Sequence, residues 1–164
     1  MYVTKISALL CAAALVALGA VARPAHASLN ASVLAQLNVE RSDHGLAPLK
    51  PSRRPADAAR AHSSEMVTAG YFSHNSFDGS VFWQRIRRYF GPGAVGENLL
   101  WAEPSVGARR AVAMWMASPE HRANILDPDW RVIGVSAVHA AAAPGYFGGH
   151  AVTVVTTDFA AQVR

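Results

Sequence analysis

The sequence predicts an α+β domain in which the helices come first and the strands last. Three observations predict it. Four segments within the first 117 residues repeat apolar or small side chains at helical spacing. Two runs rich in Val close the chain, the first alternating and the second also rich in Thr. Clusters of Pro, Gly, Asn and Asp separate these segments. Helices and strands grouped along a chain, and not alternating, favour a layered α+β arrangement over a wound parallel sheet.

The first helix is expected over Ala31 to Asp43, where Val33, Leu37 and Leu34 form the apolar stripe. Ser28 or Asn30 can cap its start, and His44-Gly45 ends it. Leu46 to Pro51 reads as a connection. The second helix, Arg53 to Ala69, has Ser52 as a candidate cap, and Pro55 is tolerable in its first turn. Its inward face is Ala58, Ala59, His62, Met66 and Ala69, and Gly70 is the natural stop. Tyr71 to Ser80 is a turn-rich loop with Asp78-Gly79 at its tight turn. Val81 to Tyr89 is a short helix with Phe82, Ile86 and Trp83 inward, broken by Gly91-Pro92-Gly93. The fourth helix runs from about Ser105 to Ala117, with Ala108, Ala111, Val112 and Trp115 on one face. Ser118-Pro119 ends it, because a residue before proline is pushed out of helical geometry. Arg131 to His139 and Ala151 to Phe159 are strands, joined through Ala140 to Gly149 as an antiparallel hairpin.

The N-terminus has the features of a removable secretory leader. Lys5 precedes an uninterrupted run of apolar and small residues from Ile6 to Val21, and Ala25-His26-Ala27 offers a small-x-small cleavage site before Ser28. The run of 16 residues is shorter than the ~20 that span a bilayer as a helix; an uncleaved anchor is the alternative. Residues 1–27 are therefore expected to be a signal peptide and 28–164 one domain, secreted to the extracellular space or periplasm, with no membrane span in the mature chain. That mature chain carries 13 basic and 11 acidic residues, a net charge of +2. The pairs Arg53-Arg54, Arg87-Arg88 and Arg109-Arg110 are scattered and read as solvated faces, so no nucleic-acid partner is expected. Cys11, the one cysteine, lies in the leader. Disulfides, thiolate chemistry and Cys-held zinc are thereby excluded from the mature chain, and any metal must be held by His, Asp or Glu.

The candidate chemistry sits in three separate turn-rich segments: His74 after Phe72-Ser73, Glu97 within Gly96-Glu97-Asn98, and His121 after Ser118-Pro119-Glu120. Sites are commonly assembled from loops converging on a rigid scaffold. Each residue also has a plain structural role available. His74 can bond backbone, Glu97 can lock a turn, and His121 can end a helix, with Glu120 paired to Arg122. His62 lies on an apolar helix face one turn from Glu65 and reads as a buried, satisfied histidine. His44, His139 and His150 carry no spacing signal. Neither H-E-x-x-H nor G-x-S-x-G occurs, and Ser63 and Ser64 lie in a helix, unpoised for nucleophilic attack.

Taken in order, the motifs resemble the bacterial branch of the CAP superfamily, the secreted relatives of cysteine-rich secretory, antigen-five and pathogenesis-related proteins. The matching residues are Ala61-His62 with Met66, Tyr71-Phe72-Ser73-His74, Asp78-Gly79 and Gly96-Glu97-Asn98-Leu99. Trp115-Met116 with Ser118-Pro119 and His121-Arg122 follow, then Asn124-Ile125-Leu126, Ile133-Gly134-Val135 and Thr157-Asp158-Phe159. They cover the chain from about Asn30 onward. The resemblance implies an α-β-α sandwich with a central antiparallel sheet, including a strand near Ala94 to Trp101.

Many members line a central cleft with two histidines and two glutamates. The resemblance places His74 and His121 as the histidines and Glu97 as the first glutamate. The second glutamate normally stands three residues after the helix tryptophan, and here that position is Ser118; Glu120 is the nearby substitute. Two imidazoles with a carboxylate or water imply a candidate zinc site on His74 and His121, with Glu97 supporting or acting as base. Histidine pairs also form plain hydrogen-bond networks. Three functions follow as expectations. The first is a secreted module binding a small lipid- or sterol-like ligand or an envelope component. The second is a metal-assisted, peptidase-like hydrolase using His74, Glu97 and His121. The third is a structural envelope protein with a relic site. A monomer is the default assembly.

Overall fold

The computed structural model describes residues 28–161; the leader expected over 1–27 lies outside the described residues. Helix α1 spans Leu29–Asp43 and buries Val33 and Leu37. Of its two candidate caps, Ser28 does the capping, its Oγ accepting from the Ala31 amide at 3.3 Å. The Asn30 side-chain Oδ1 instead accepts from the Ala137 amide at 2.8 Å, tying the helix to the sheet.

Helix α2 spans Arg53–Ala69, as the spacing predicts, although Ser52 provides no side-chain cap. Ala58, Ala59, His62 and Met66 are buried with Ser63 and Val67, whereas Ala69 is exposed. Gly70 adopts the left-handed conformation that stops the helix, at φ 70°. Helix α3, Phe82–Phe90, presents Ile86 and also Arg85 to the interior. Trp83, expected inward, is 41 % exposed, with the Arg87 guanidinium 5.2 Å above its ring. A cation held over an indole face stabilises that exposed position. Helix α4 spans Ala108–Met116, starting three residues later than expected, and buries Ala111, Val112 and Trp115. The Ser118-Pro119 break ends α4, and the chain then restarts as helix α5, Pro119–Ile125. Proline suits a first helical position because its missing N–H is one that no helix uses there.

Four strands form one sheet in the order β1-β3-β4-β2: β1 is Lys50–Pro51, β2 Val95–Ala102, β3 Val132–Ala143 and β4 His150–Ala160. β3 continues four residues beyond His139, with a register shift between Ala140 and Ala143, so only Pro144 to Gly149 joins it to β4. β2–β4 and β3–β4 are antiparallel. The sheet is mixed and not purely antiparallel, because the connection between α1 and α2 lies parallel along β3. The Lys50 amide donates to Arg131 O at 3.0 Å and the Ser52 amide to Ile133 O at 2.9 Å.

Helices cover both faces of the sheet, which makes the expected α-β-α sandwich. On one side Leu37, Trp115 and Ile125 pack with Leu100, Ile133, Val155 and Phe159. On the other, Met66 and Val67 pack with Leu99, Val152 and Val154. α2 approaches β3 so closely that a Cβ on Gly134 would run into the backbone of Pro55 and Ala56. β2, an edge strand, serves both layers. Leu99 faces the α2 side, and Leu100 the α4 side. Among the described residues, no helix is long and apolar enough to cross a membrane.

Candidate functional site

The site is built on the edge strand β2, with one wall from each helical layer. Glu97 points toward α2 and α3, and its side chain is 0 % exposed. A bare carboxylate there would be costly, so both its oxygens are occupied. Oε1 accepts from Nδ1 of His74 at 2.8 Å. Oε2 is engaged by Nη2 of Arg85 in a buried ion pair. The same guanidinium donates from Nη1 to His74 O at 3.0 Å and to Ser76 Oγ at 3.2 Å. Arg85 thus anchors Glu97 and the loop that carries His74. The Asp78-Gly79 turn closes that loop as expected, with the Ser80 amide on Asp78 Oδ1 at 2.8 Å and the Gly79 amide on Ser76 O at 2.9 Å.

A carboxylate only accepts, so His74 Nδ1 must carry the hydrogen. Nε2 is then left for the cleft, and the side chain is 48 % exposed. His121 approaches from the opposite layer on α5. Asn98 Nδ2 donates to His121 O at 3.0 Å. Asn124 Nδ2 lies 3.0 Å from both Glu97 O and Asn98 Oδ1. The far end of α5 is held by Arg41, a fully buried residue of α1, whose Nη1 donates to Ile125 O at 2.7 Å and to Asp127 O at 2.9 Å. The carbonyls that a helix C-terminus leaves unpaired are satisfied this way. Gly96 is needed for α5 to sit so close, since a Cβ would stand 2.5 Å from Asn124 Oδ1.

His74, His121 and Glu120 together line two cavities. One, of about 490 Å³, adds Phe82, Val95 and Glu97. The other, of about 510 Å³, adds Phe72, Ser73 and Leu99. The three segments singled out in the sequence therefore meet. Glu120 lines both cavities, and Ser118, at the family's fourth position, lines neither. Arg122 turns away from Glu120 and donates to His44 Nε2 at 2.9 Å. Burial holds the His121 imidazole below its ordinary pKa, and the neighbouring His74 pushes the same way against the opposing pull of Glu120. A more apolar cavity of about 420 Å³ lies at the other edge of the sheet, against Leu34, Pro51, Ala56, Ile133 and Val135. It contains no histidine or carboxylate, so the chemically able side chains gather at the polar cleft instead.

His62 is the buried, satisfied histidine that its spacing predicts. Its Nε2 donates to Ser73 O at 2.8 Å, and its Nδ1 lies 3.4 Å from Glu65 Oε2. Ser63 Oγ is spent on Thr156 Oγ1 at 2.7 Å. Two site residues escaped the sequence reading. Arg85 was not singled out; it stands two residues before the solvated pair Arg87-Arg88, and nothing in that spacing marks it as an interior residue. Asp158, fully buried on β4 directly across from Glu97, was noted within the motif Thr157-Asp158-Phe159 but given no place in the site, because its run reads as a plain strand.

The zinc implied by the resemblance can be tested against this donor set. Among the described residues, no three His, Asp or Glu side chains come together as metal ligands. Both oxygens of Glu97 are taken, which leaves two imidazoles and the exposed Glu120 facing the cleft. A resident catalytic zinc takes three protein ligands and an open position. The residues present fall short of that.

The chain matches the model of the cysteine-rich secretory protein (CAP) family over residues 34–156. It is 37% identical over 106 residues to the uncharacterized protein YkwD of Bacillus subtilis, covering 63% of this chain and 40% of that protein. It is 34% identical over 104 residues to the uncharacterized membrane protein YlbC of the same organism, covering 63% of this chain and 30% of that one. The chain thus spans well under half the length of either relative. Among solved structures, it is similar to an extracellular protein containing an SCP domain from Bacillus anthracis. There the TM-score is 0.62 at 27% identity, over 79% of this chain and 39% of that one. An outer surface protein of Borrelia burgdorferi shares the fold, with a TM-score of 0.64 at 17% identity over 80% and 90% of the two chains. With both helical layers, the edge-strand cleft and its two histidines in place, the chain belongs to the cysteine-rich secretory protein (CAP) family.

Proposed function

We propose that this CAP domain is an extracellular binding module whose His74–His121 cleft takes a small lipid- or sterol-like ligand or an exposed group of an envelope component. One observation carries the reading. The carboxylate that a hydrolase would use as base is closed off by Arg85 and His74, while imidazoles from two different layers open into one cleft. Such a cleft offers polar groups above the apolar Phe72, Phe82 and Leu99, a combination that orients and retains a small molecule. Export through removal of residues 1–27 belongs to the same proposal. It is supported by the leader pattern and by relatives described as extracellular or outer-surface proteins.

The test is binding by the chain from Ser28. Lipid extracts of the purified protein and titrations with candidate sterols and other neutral lipids should reveal a saturable ligand. Its affinity should survive a chelator and fall at least tenfold in His74→Ala/His121→Ala. Binding that the double variant leaves intact would move the ligand away from the cleft and overturn the proposal.

The alternative, metal-assisted hydrolysis through His74, Glu97 and His121, shares this cleft but lacks, among the described residues, a three-ligand set and an open carboxylate. It requires a one-to-one zinc complex by calorimetry, and peptide turnover lost on chelation and in Glu97→Ala. No zinc uptake by a well-folded protein would remove it.

A further inference from the structure

The carboxyl groups of Glu97 and Asp158 stand side by side on neighbouring strands, in direct register, and both are buried. They have different partners. Glu97 receives two donors, His74 Nδ1 and Arg85 Nη2. Neither oxygen of Asp158 receives any. The charged and titratable groups facing this pair are Arg85 from α3, His62 from α2 and His74 from the intervening loop. His62 is depressed by burial and holds no spare charge for the pair. Among the described residues, the Arg85 guanidinium is the one fixed charge facing two buried carboxyls, and His74 already spends its Nδ1–H on Glu97. An ionised Asp158 would therefore stand beside Glu97 with no donor of its own, a costly arrangement.

We propose that Asp158 retains its proton at neutral pH, donates it in a hydrogen bond to Glu97, and so acts as a positioning residue for His74. The location of the proton follows from the donors: Glu97 already accepts from two and so behaves as the ionised partner, which leaves the O–H on Asp158. Burial and the adjacent Glu97 charge both raise Asp158, against the opposing effect of Arg85. With that proton in place, Arg85 balances Glu97, and the cluster carries no net charge that would draw a second cation. Glu97 then only orients His74, with Nδ1–H inward and the Nε2 lone pair toward the cleft. The cleft offers an acceptor there, which suits a neutral, hydroxyl-bearing ligand and disfavours a carboxylate or phosphate. This preference rests on the cleft reading above; the proton on Asp158 does not.

The test is carboxyl-carbon NMR on the ligand-free chain from Ser28, labelled at aspartate. Asp158 is assigned by backbone correlation and checked by its disappearance in Asp158→Asn. The expected result is a resonance at the protonated position at pH 7, with no transition near the ordinary aspartate value of about 3.9. An ionised Asp158 at pH 7 would overturn the proposal. A second readout is the His74 titration followed by imidazole nitrogen shifts. If Asp158 is already neutral, Asp158→Asn leaves the His74 midpoint where it was; a drop in that midpoint means a negative charge was removed and also overturns it. Should both results hold while hydroxylated ligands fail to bind, the cleft reading fails and the Asp158 assignment stands.

Discussion

Replacing Arg85 by methionine tests the logic of the site most directly. The change keeps an unbranched aliphatic stem at this buried position but removes the guanidinium. It leaves Glu97 as a buried charge without its guanidinium, held by the His74 N–H and the proposed Asp158 O–H. Breaking a buried ion pair from one side costs about 3–5 kcal/mol. The lost bonds to His74 O and Ser76 Oγ add little to that, because loop groups at the cleft can turn to water. For a domain of this size the loss corresponds to a melting temperature about 10–20 °C lower. It is also a large share of the about 5–15 kcal/mol that holds a domain folded. Urea denaturation at pH 7, followed by tryptophan fluorescence, measures it. The exposed pair Arg53–Asp57, whose arginine side chain is 94 % exposed, is the internal control. Arg53→Met should have no measurable effect, because solvated pairs contribute little. In Arg85→Met/Glu97→Gln the stranded charge is gone, so most of the stability should return. A cost below about 1 kcal/mol for Arg85→Met, or a double variant less stable than the single one, would refute the argument that Arg85 exists to balance Glu97.

Three further outcomes are expected. Burial lowers the His62 imidazole below its ordinary value, so its contribution to stability is complete above pH ~6.5 and is lost as the pH falls through the folded value. His62→Gln, which keeps a donor for Ser73 O, should flatten the acid-side slope of a pH–stability curve, and an unchanged slope would contradict the burial argument. Trp115→Phe strips the buried Leu99 carbonyl of its 2.9 Å indole donor. It should cost about 2–4 kcal/mol from the orphaned carbonyl and lost packing, whereas Trp83→Phe on the exposed face should cost almost nothing in the same denaturation assay. Asn124→Ala unties α5 from Glu97 O and Asn98 and should cost about 1–3 kcal/mol. It should also broaden the His121 imidazole signals in NMR, and sharp, unshifted signals would mean that α5 is held by other contacts.

Local patterns carried much of the architecture, because amphipathic helices announce themselves through local spacing. α2 starts and stops where its residues say it should, between Ser52 and Gly70, and the Val/Thr run of β4 is equally plain. β2 is different. It is covered on both faces, so Val95 to Ala102 lacks the alternation that marks a half-exposed strand. β1 is two residues of connection that become a strand only through the edge of β3. The resemblance supplied β2 and the expectation that His74, Glu97 and His121 share one cleft, and the sheet then explains why those three meet.

His74, Glu97 and His121 could be picked from the chain as chemically able groups in turn-rich segments, and the expected leader, with the single cysteine inside it, bounded what they could do. Their roles could not be read there, since those depend on neighbours far away in sequence. Whether Glu97 is an open base or a closed anchor depends on Arg85 from α3 and Asp158 from β4. Whether Glu120 or Ser118 faces the cleft depends on how Arg41 and Asn124 hold α5. Spacing along a chain sets which residues share a face of one element. Electrostatics and burial arise between elements, and that is where the closed carboxylate and the open imidazoles of this site were settled.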